Sequence, residues 1–146
     1  MVITCSDTRT PDTDTSGQLI QKLLKEKGHT VTAYHLVKDE PAQIKGRIAE
    51  GLANDAVQAI IINGGTGISR RDSTFEAVDA MLEKRLDGFG EVFHEFGSPA
   101  IMSRASAGII KGRVLFSTPG SEIAVRLAME KLILPELGHL VKELTK

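Results

Sequence analysis

Three short apolar, β-branched runs alternate with two amphipathic stretches over the first 62 residues, and few architectures accept that order. Val2 to Cys5 reads as a first strand. Gly17 to Lys27 places Leu19, Ile20, Leu23 and Leu24 at helical spacing, with Gly28 where a helix C-terminal glycine belongs. Thr30 to Val37 is rich in β-branched and aromatic residues and reads as a second strand. Asp39-Glu40-Pro41 opens another helix, since proline at a first helical position gives up an N–H that has no partner there anyway. Ile44, Ile48 and Leu52 form its buried stripe. Ala56 to Ile62 is a continuous apolar run, as expected of a strand covered on both faces. The β-α-β-α-β order predicts an α/β fold, with a mainly parallel sheet and helices on both sides.

The remainder is less regular. Ser6 to Ser16 is polar and reads as a loop. A helix is expected from about Thr74 to Lys84, opened by a capping box of Ser73 with Glu76. Asp87 to Phe96 reads as a further helix, entered through Gly88-Phe89-Gly90 and broken by Gly97-Ser98-Pro99. Ile101 to Ala107 fits neither period. Arg113 to Ser117 reads as a strand, Thr118-Pro119-Gly120 as a turn, and Ser121 to Thr145 as a long helix bent near Pro135. No repeat or linker interrupts the 146 residues, so residues 1–146 are expected to form a single domain.

Several function classes drop out. The formal net charge is −1, which lacks the basic stripe of a nucleic-acid binder. There is no Trp, one Tyr and five Phe, too few for stacking on single strands. Cys5 is the only cysteine, and the four histidines are scattered, so no zinc pattern exists. Cys5 lies in an apolar strand and reads as a core residue. No apolar stretch approaches the ~18 residues of a membrane span, and Met1-Val-Ile-Thr is no signal peptide; a cytoplasmic location is expected.

Residues 62–74 read INGGTGISRRDST and carry the chemistry. The segment leaves the carboxyl end of a buried strand and enters a helix, which is where ligands bind in open α/β sheets. Glycines let backbone N–H groups approach an anion, and the helix N-terminus favours negative charge. It is neither a Walker A loop, because Ser69 stands where the second glycine belongs, nor a dinucleotide fingerprint, because Arg70 replaces its last glycine. GGTG alone reads equally as a tight turn. Asp72 reads either as a helix-start residue or as a metal ligand, and a carboxylate beside bound phosphate calls for a cation between them. Asp39 ends the second strand at the same rim, and otherwise is only a helix-start charge. Asp7 ends the first strand there, and Thr118-Pro119-Gly120-Ser121 the last. Arg70 and Arg71 read equally as phosphate partners or as solvated charges.

The chain resembles the MoaB/Mog family of molybdenum-cofactor biosynthesis proteins, and within it the MoaB branch. The resemblance rests on Cys5-Ser6-Asp7-Thr8-Arg9-Thr10, Asp14 with Ser16-Gly17, Val37-Lys38-Asp39, Asn63 to Ile68 with Arg71-Asp72 and Thr74, Gly88-Phe89-Gly90-Glu91, Ser103-Arg104-Ala105 with Gly108, and Pro119-Gly120-Ser121. It implies a three-layer αβα sandwich with a mostly parallel mixed sheet, a Rossmann-like molybdopterin-binding fold, and homotrimers or homohexamers. The implied activity is molybdopterin adenylyltransferase: Mg²⁺-ATP transfers AMP to the terminal phosphate of molybdopterin and pyrophosphate leaves. A non-catalytic molybdopterin binder or carrier of the same pathway is the alternative, and a scaffold for other cofactor-pathway enzymes a third. Carried over residue by residue, the catalytic aspartates fall on Asp39 and Asp72, which would also hold Mg²⁺. Gly64, Gly65, Thr66 and Gly67 fall on the ligand loop. Ser6, Asp7, Pro119, Gly120 and Ser121 fall on segments lining the nucleotide and pterin pocket.

Three departures from the family pattern stand out. The first strand is short, so the start reads as trimmed. Residues 94–99 differ from the family's longer segment, and Glu122 adds a carboxylate after Pro119-Gly120.

Overall fold

A computed structural model describes residues 1–95 and 104–146. The elements run β1 (Val2–Cys5), α1 (Thr15–Glu26), β2 (Tyr34–Val37), α2 (Pro41–Leu52), β3 (Ala59–Asn63), α3 (Thr74–Met81), β4 (Lys84–Arg85), α4 (Asp87–Glu95), β5 (Ser106–Ile110), β6 (Arg113–Thr118), α5 (Glu122–Ala128), a π-helical segment (Met129–Ile133) and α6 (Leu134–Leu144).

The six strands form one sheet in the order β2-β1-β3-β6-β5-β4. The first four are parallel; β5 runs antiparallel to β6, and β4 antiparallel to β5. Strand alternation sorts the side chains into two cores. Val2, Ile61, Val114 and Phe116 pack with Leu19 and Ile20 of α1, Phe93 of α4, and Val125 and Ile133 of the C-terminal helices. Ile3, Ile60, Ile62 and Leu115 pack on the other face against Ile44 and Ile48 of α2 and Val78 of α3. The result is a three-layer α/β sandwich. Each wholly buried leucine or isoleucine contributes about 1.5–3 kcal/mol to holding the layers together.

Local details depart from the sequence expectations for physical reasons. Helix α1 begins at Thr15 because the buried Asp14 caps it, its Oδ1 accepting from the Gly17 amide at 2.9 Å. Strand β2 begins only at Tyr34, because its pairing register starts at Val2 of β1. The long C-terminal helix does change where expected. Pro135 lacks an N–H, and the π-helical turn of Met129–Ile133 just before it takes up the mismatch. Lys111 and Gly112, both at positive φ (46° and 74°), close the two-residue β5–β6 hairpin, as a type I′ turn requires. The expected Gly97-Ser98-Pro99 break, most of the altered segment 94–99 and Ile101–Ser103 lie outside the described residues.

This order makes a switch point. β1 leads to α1 on one face of the sheet, while its neighbour β3 leads to α3 on the other. Their carboxyl ends therefore diverge, and the crevice between the departing loops is the natural ligand site.

Candidate functional site

A cleft of about 670 Å³ opens at that switch point. All of the expected site residues line it: Ser6, Asp7, Asp39, Gly64, Gly65, Thr66, Gly67, Asp72, Pro119, Gly120 and Ser121. Four strand ends, from β1, β2, β3 and β6, bring them together. Arg71 also lines it, whereas Arg70 is exposed elsewhere. Thr8 and Arg9, which carried the resemblance but no expected site role, also line the cleft, as does Ser69. A cation two residues after Asp7, on the same loop, was the signal that would have found Arg9. Glu122 does not line the cleft.

The β1 loop is held by its own side chains. The Ser6 hydroxyl oxygen accepts from the amides of Thr8 (3.2 Å) and Arg9 (3.0 Å). Arg9 donates to the Gly120 carbonyl at 3.0 Å and lies 3.6 Å from Asp14, tying the loop to the end of β6. The Ser16 hydroxyl donates to the same Gly120 carbonyl at 2.7 Å. Ser121 accepts from the Ala124 amide at 3.2 Å and so caps α5.

Asp7 sits at the junction of three loops. It takes two bonds from Arg71, at 2.9 and 3.0 Å, and one from the Asp39 amide at 3.1 Å. Arg71 also approaches Glu40 at 3.6 Å. The Arg71 guanidinium, then the Asp39 amide, hold the Asp7 carboxyl down at about 2. Asp7 thus links β1, β2 and the glycine loop, and Arg71 is an ion-paired wall of the cleft.

The glycine loop is set by close approaches. Gly64 and Gly65 have φ of 95° and 68°, which glycine adopts without cost. A methyl group on Gly64 would lie 2.2 Å from the Cys5 carbonyl oxygen. One on Gly65 would lie 2.1 Å from Thr74 Oγ1 and 2.7 Å from Asp39 Oδ2, and one on Gly67 2.8 Å from Asp72 Oδ2. The Gly64 amide donates to the Thr118 carbonyl, and the Gly65 carbonyl accepts from the Thr74 amide, both at 3.0 Å. The amides of Gly65, Thr66 and Gly67 donate to no acceptor among the described residues. They are a row of donors on a cleft wall, the arrangement that binds anions.

The two carboxylates are held differently. Asp39 is 7% exposed, and its Oδ1 accepts from both the amide (3.1 Å) and the hydroxyl (2.8 Å) of Ser73. Ser73 therefore makes no capping box: its hydroxyl faces Asp39, and Glu76 pairs with Arg104. Asp72 accepts the Ser69 amide at 2.9 Å through Oδ2. Asp39 Oδ2 and Asp72 Oδ1 take no hydrogen bond among the described residues.

Arg71 pairs with Asp7 and Arg9 with Asp14, so among the described residues Asp39 and Asp72 both stand without a cation. Among the described residues no three Asp, Glu, His or Cys side chains cluster to hold a metal. A cation bound by Asp39 and Asp72 would complete its shell with water and substrate oxygens, which is the habit of Mg²⁺. The donor set fits that ion. Cys5 is buried under the loop; burial pushes its thiol up to about 12, with Thr74 opposing and Asp39 adding to the shift. Among the described residues no helix is long and apolar enough to cross a membrane.

A domain family described as a probable molybdopterin binding domain matches residues 1–139. A Bacillus anthracis protein, molybdenum cofactor biosynthesis protein B, is 53% identical over 149 residues, which cover 98% of this chain and 88% of that one. A crystal structure of a molybdenum cofactor biosynthesis protein B superposes with a TM-score of 0.95 at 52% identity, covering 99% of this chain and 93% of that one. The tungsten cofactor synthesizing protein MoaB from Pyrococcus furiosus superposes with a TM-score of 0.84 at 35% identity, covering 99% and 95%.

Proposed function

The chain belongs to the MoaB/Mog family of molybdenum-cofactor biosynthesis proteins, and from that premise we propose that it adenylylates molybdopterin with Mg²⁺-ATP. An oxygen of the molybdopterin terminal phosphate attacks the α-phosphorus of ATP. A P–O–P bond forms, the bond from the α-phosphorus to the α–β bridging oxygen breaks, and pyrophosphate leaves with that electron pair. The attacking oxygen is already anionic, so no strong base is needed.

One observation carries this reading. Asp39 lies against Gly65 and Asp72 against Gly67, so two carboxylates flank a row of amides that find no acceptor among the described residues. A passive phosphate binder gains only repulsion from that arrangement. The amides of Gly65 to Gly67 hold phosphate oxygens, Arg9 and Arg71 offset charge from the walls, and Ser73 fixes the aim of Asp39. Mg²⁺, held by Asp39 and Asp72, would supply charge neutralisation at the phosphates. The homotrimer or homohexamer implied by the family is part of the proposal, and sedimentation equilibrium measures it. Purified chain, Mg²⁺-ATP and molybdopterin should yield adenylyl-molybdopterin and pyrophosphate in equal amounts. Bound molybdopterin with no product would make the chain a binder or carrier.

A further inference from the structure

Arg104 lies outside the cleft lining, yet three of its nitrogens face the glycine loop from behind. Its backbone amide donates to the Thr66 carbonyl at 3.2 Å, its Nε to the same carbonyl at 3.0 Å, and its Nη2 to the Gly67 carbonyl at 2.6 Å. The guanidinium rests on the Phe75 ring, 4.6 Å from the centroid, and pairs with Glu76. That pairing lowers the Glu76 pKa. Phe75 belongs to α3, so the helix that follows the loop also braces its clamp, while Glu76 pairs with the guanidinium only at the exposed edge.

The consequence follows from peptide geometry. The chain has no cis peptide among the described residues, so each carbonyl points opposite to the N–H of its own peptide unit. Arg104 draws the Thr66 and Gly67 carbonyls toward itself and away from the cleft. The N–H groups of Gly67 and Ile68 must then face the other way. Thr74 does the same one unit earlier by donating to the Gly65 carbonyl, which turns the Thr66 N–H. The amides of Thr66 and Gly67, two of the three donors on the cleft wall, are thereby aligned before any ligand arrives, with that of Ile68 next to them.

We infer that Arg104 is a positioning residue, which sets the peptide planes of the glycine loop so that its amides present one preformed anion cradle. This inference deepens the proposed function, resting on the same cleft as its phosphate site. The shape of the guanidinium is essential, because its rigid planar fork fixes the directions of two carbonyls at once, whereas a lysine ammonium is a point charge on a flexible stem.

The test uses the full chain and Arg104→Lys, Arg104→Ala and Glu76→Gln. Backbone order parameters of Gly67 and Ile68 are measured without ligand, and Mg²⁺-ATP and inorganic pyrophosphate affinities by calorimetry. Arg104→Lys keeps charge and bulk, so it controls for folding. Both Arg104 variants should lower the order parameters from about 0.85 to below about 0.6 and weaken each ligand at least about tenfold. Glu76→Gln should change neither by more than about twofold, since it removes only an exposed ion pair. Unchanged loop order in Arg104→Lys and Arg104→Ala would overturn the inference, as would loosened loops that bind both ligands normally. If the wild-type chain binds neither ligand, the proposed activity fails, while the order parameters still decide what Arg104 does to the loop.

Discussion

Asp39 and Ser73, 34 residues apart in the chain, meet at a single oxygen: Asp39 Oδ1 accepts from both the amide and the hydroxyl of Ser73. This contact joins the end of β2 to the start of α3 across the cleft. It also leaves Asp39 Oδ2 facing the glycine loop. Ser73→Ala keeps the amide bond and loses the hydroxyl bond. Stability should fall by about 1.5–3 kcal/mol, the usual worth of a hydrogen bond to a charged group. Turnover should fall as well, about tenfold, because the carboxylate is then held once instead of twice. Denaturant melts and steady-state kinetics separate the two effects. Equal turnover in Ser73→Ala and wild type would sink the positioning role.

The glycines differ in what surrounds them, and substitution should show it. Gly28 has φ of 84° with open space around it, so Gly28→Ala meets only backbone strain of about 1 kcal/mol and should leave ligand binding intact. Gly65→Ala adds a methyl group 2.1 Å from Thr74 Oγ1 and beside Asp39, and should weaken nucleotide binding at least about tenfold. Calorimetry on both variants makes the comparison. Normal binding by Gly65→Ala would mean that the loop is only a turn.

The Asp7 carboxyl should titrate near 2, well below its ordinary value. The folded pKa is depressed, so the stabilising contribution is complete above about pH 4 and is lost as pH falls through about 2. Carboxyl-detected NMR reads the midpoint directly. In Arg71→Ala the largest cause of the shift is gone, and the midpoint should rise toward 4. A midpoint that stays near 2 in that variant would assign the shift to another partner.

Cys5 should be chemically quiet. Burial pushes its thiol to about 12, so little thiolate exists at pH 8. Alkylation by iodoacetamide should be at least about a hundredfold slower in the native chain than in urea. Comparable rates would contradict the packing under Gly64.

The first half of the fold was legible because each element there obeys one period. Ile44 and Ile48 mark a helix face, and Ala59 to Asn63 a strand covered on both sides. β4 was not legible: Lys84–Arg85 is two exposed, charged residues whose pairing comes entirely from β5. β5 was obscured by Gly108. A methyl group there would lie 2.4 Å from the Lys84 carbonyl oxygen, so the glycine serves strand approach rather than a turn. In the cleft, strand ends and polar turns located the rim. Pairing within it was hidden, because Ser73 suits a cap and Asp39 equally, and only the tertiary contact decides. Nothing local distinguished Arg71, which pairs with Asp7 from 64 residues away.

The central claim is that Asp39 and Asp72 serve phosphoryl chemistry at the glycine loop. It is tested most directly by following adenylyl-molybdopterin and pyrophosphate with wild type, Asp39→Ala and Asp72→Ala, each with Mg²⁺ and with chelator. The expected result is product from wild type with Mg²⁺ only, and at least about a hundredfold less from either variant while its fold is retained. Product from both variants at the wild-type rate, or from wild type in chelator, would contradict it.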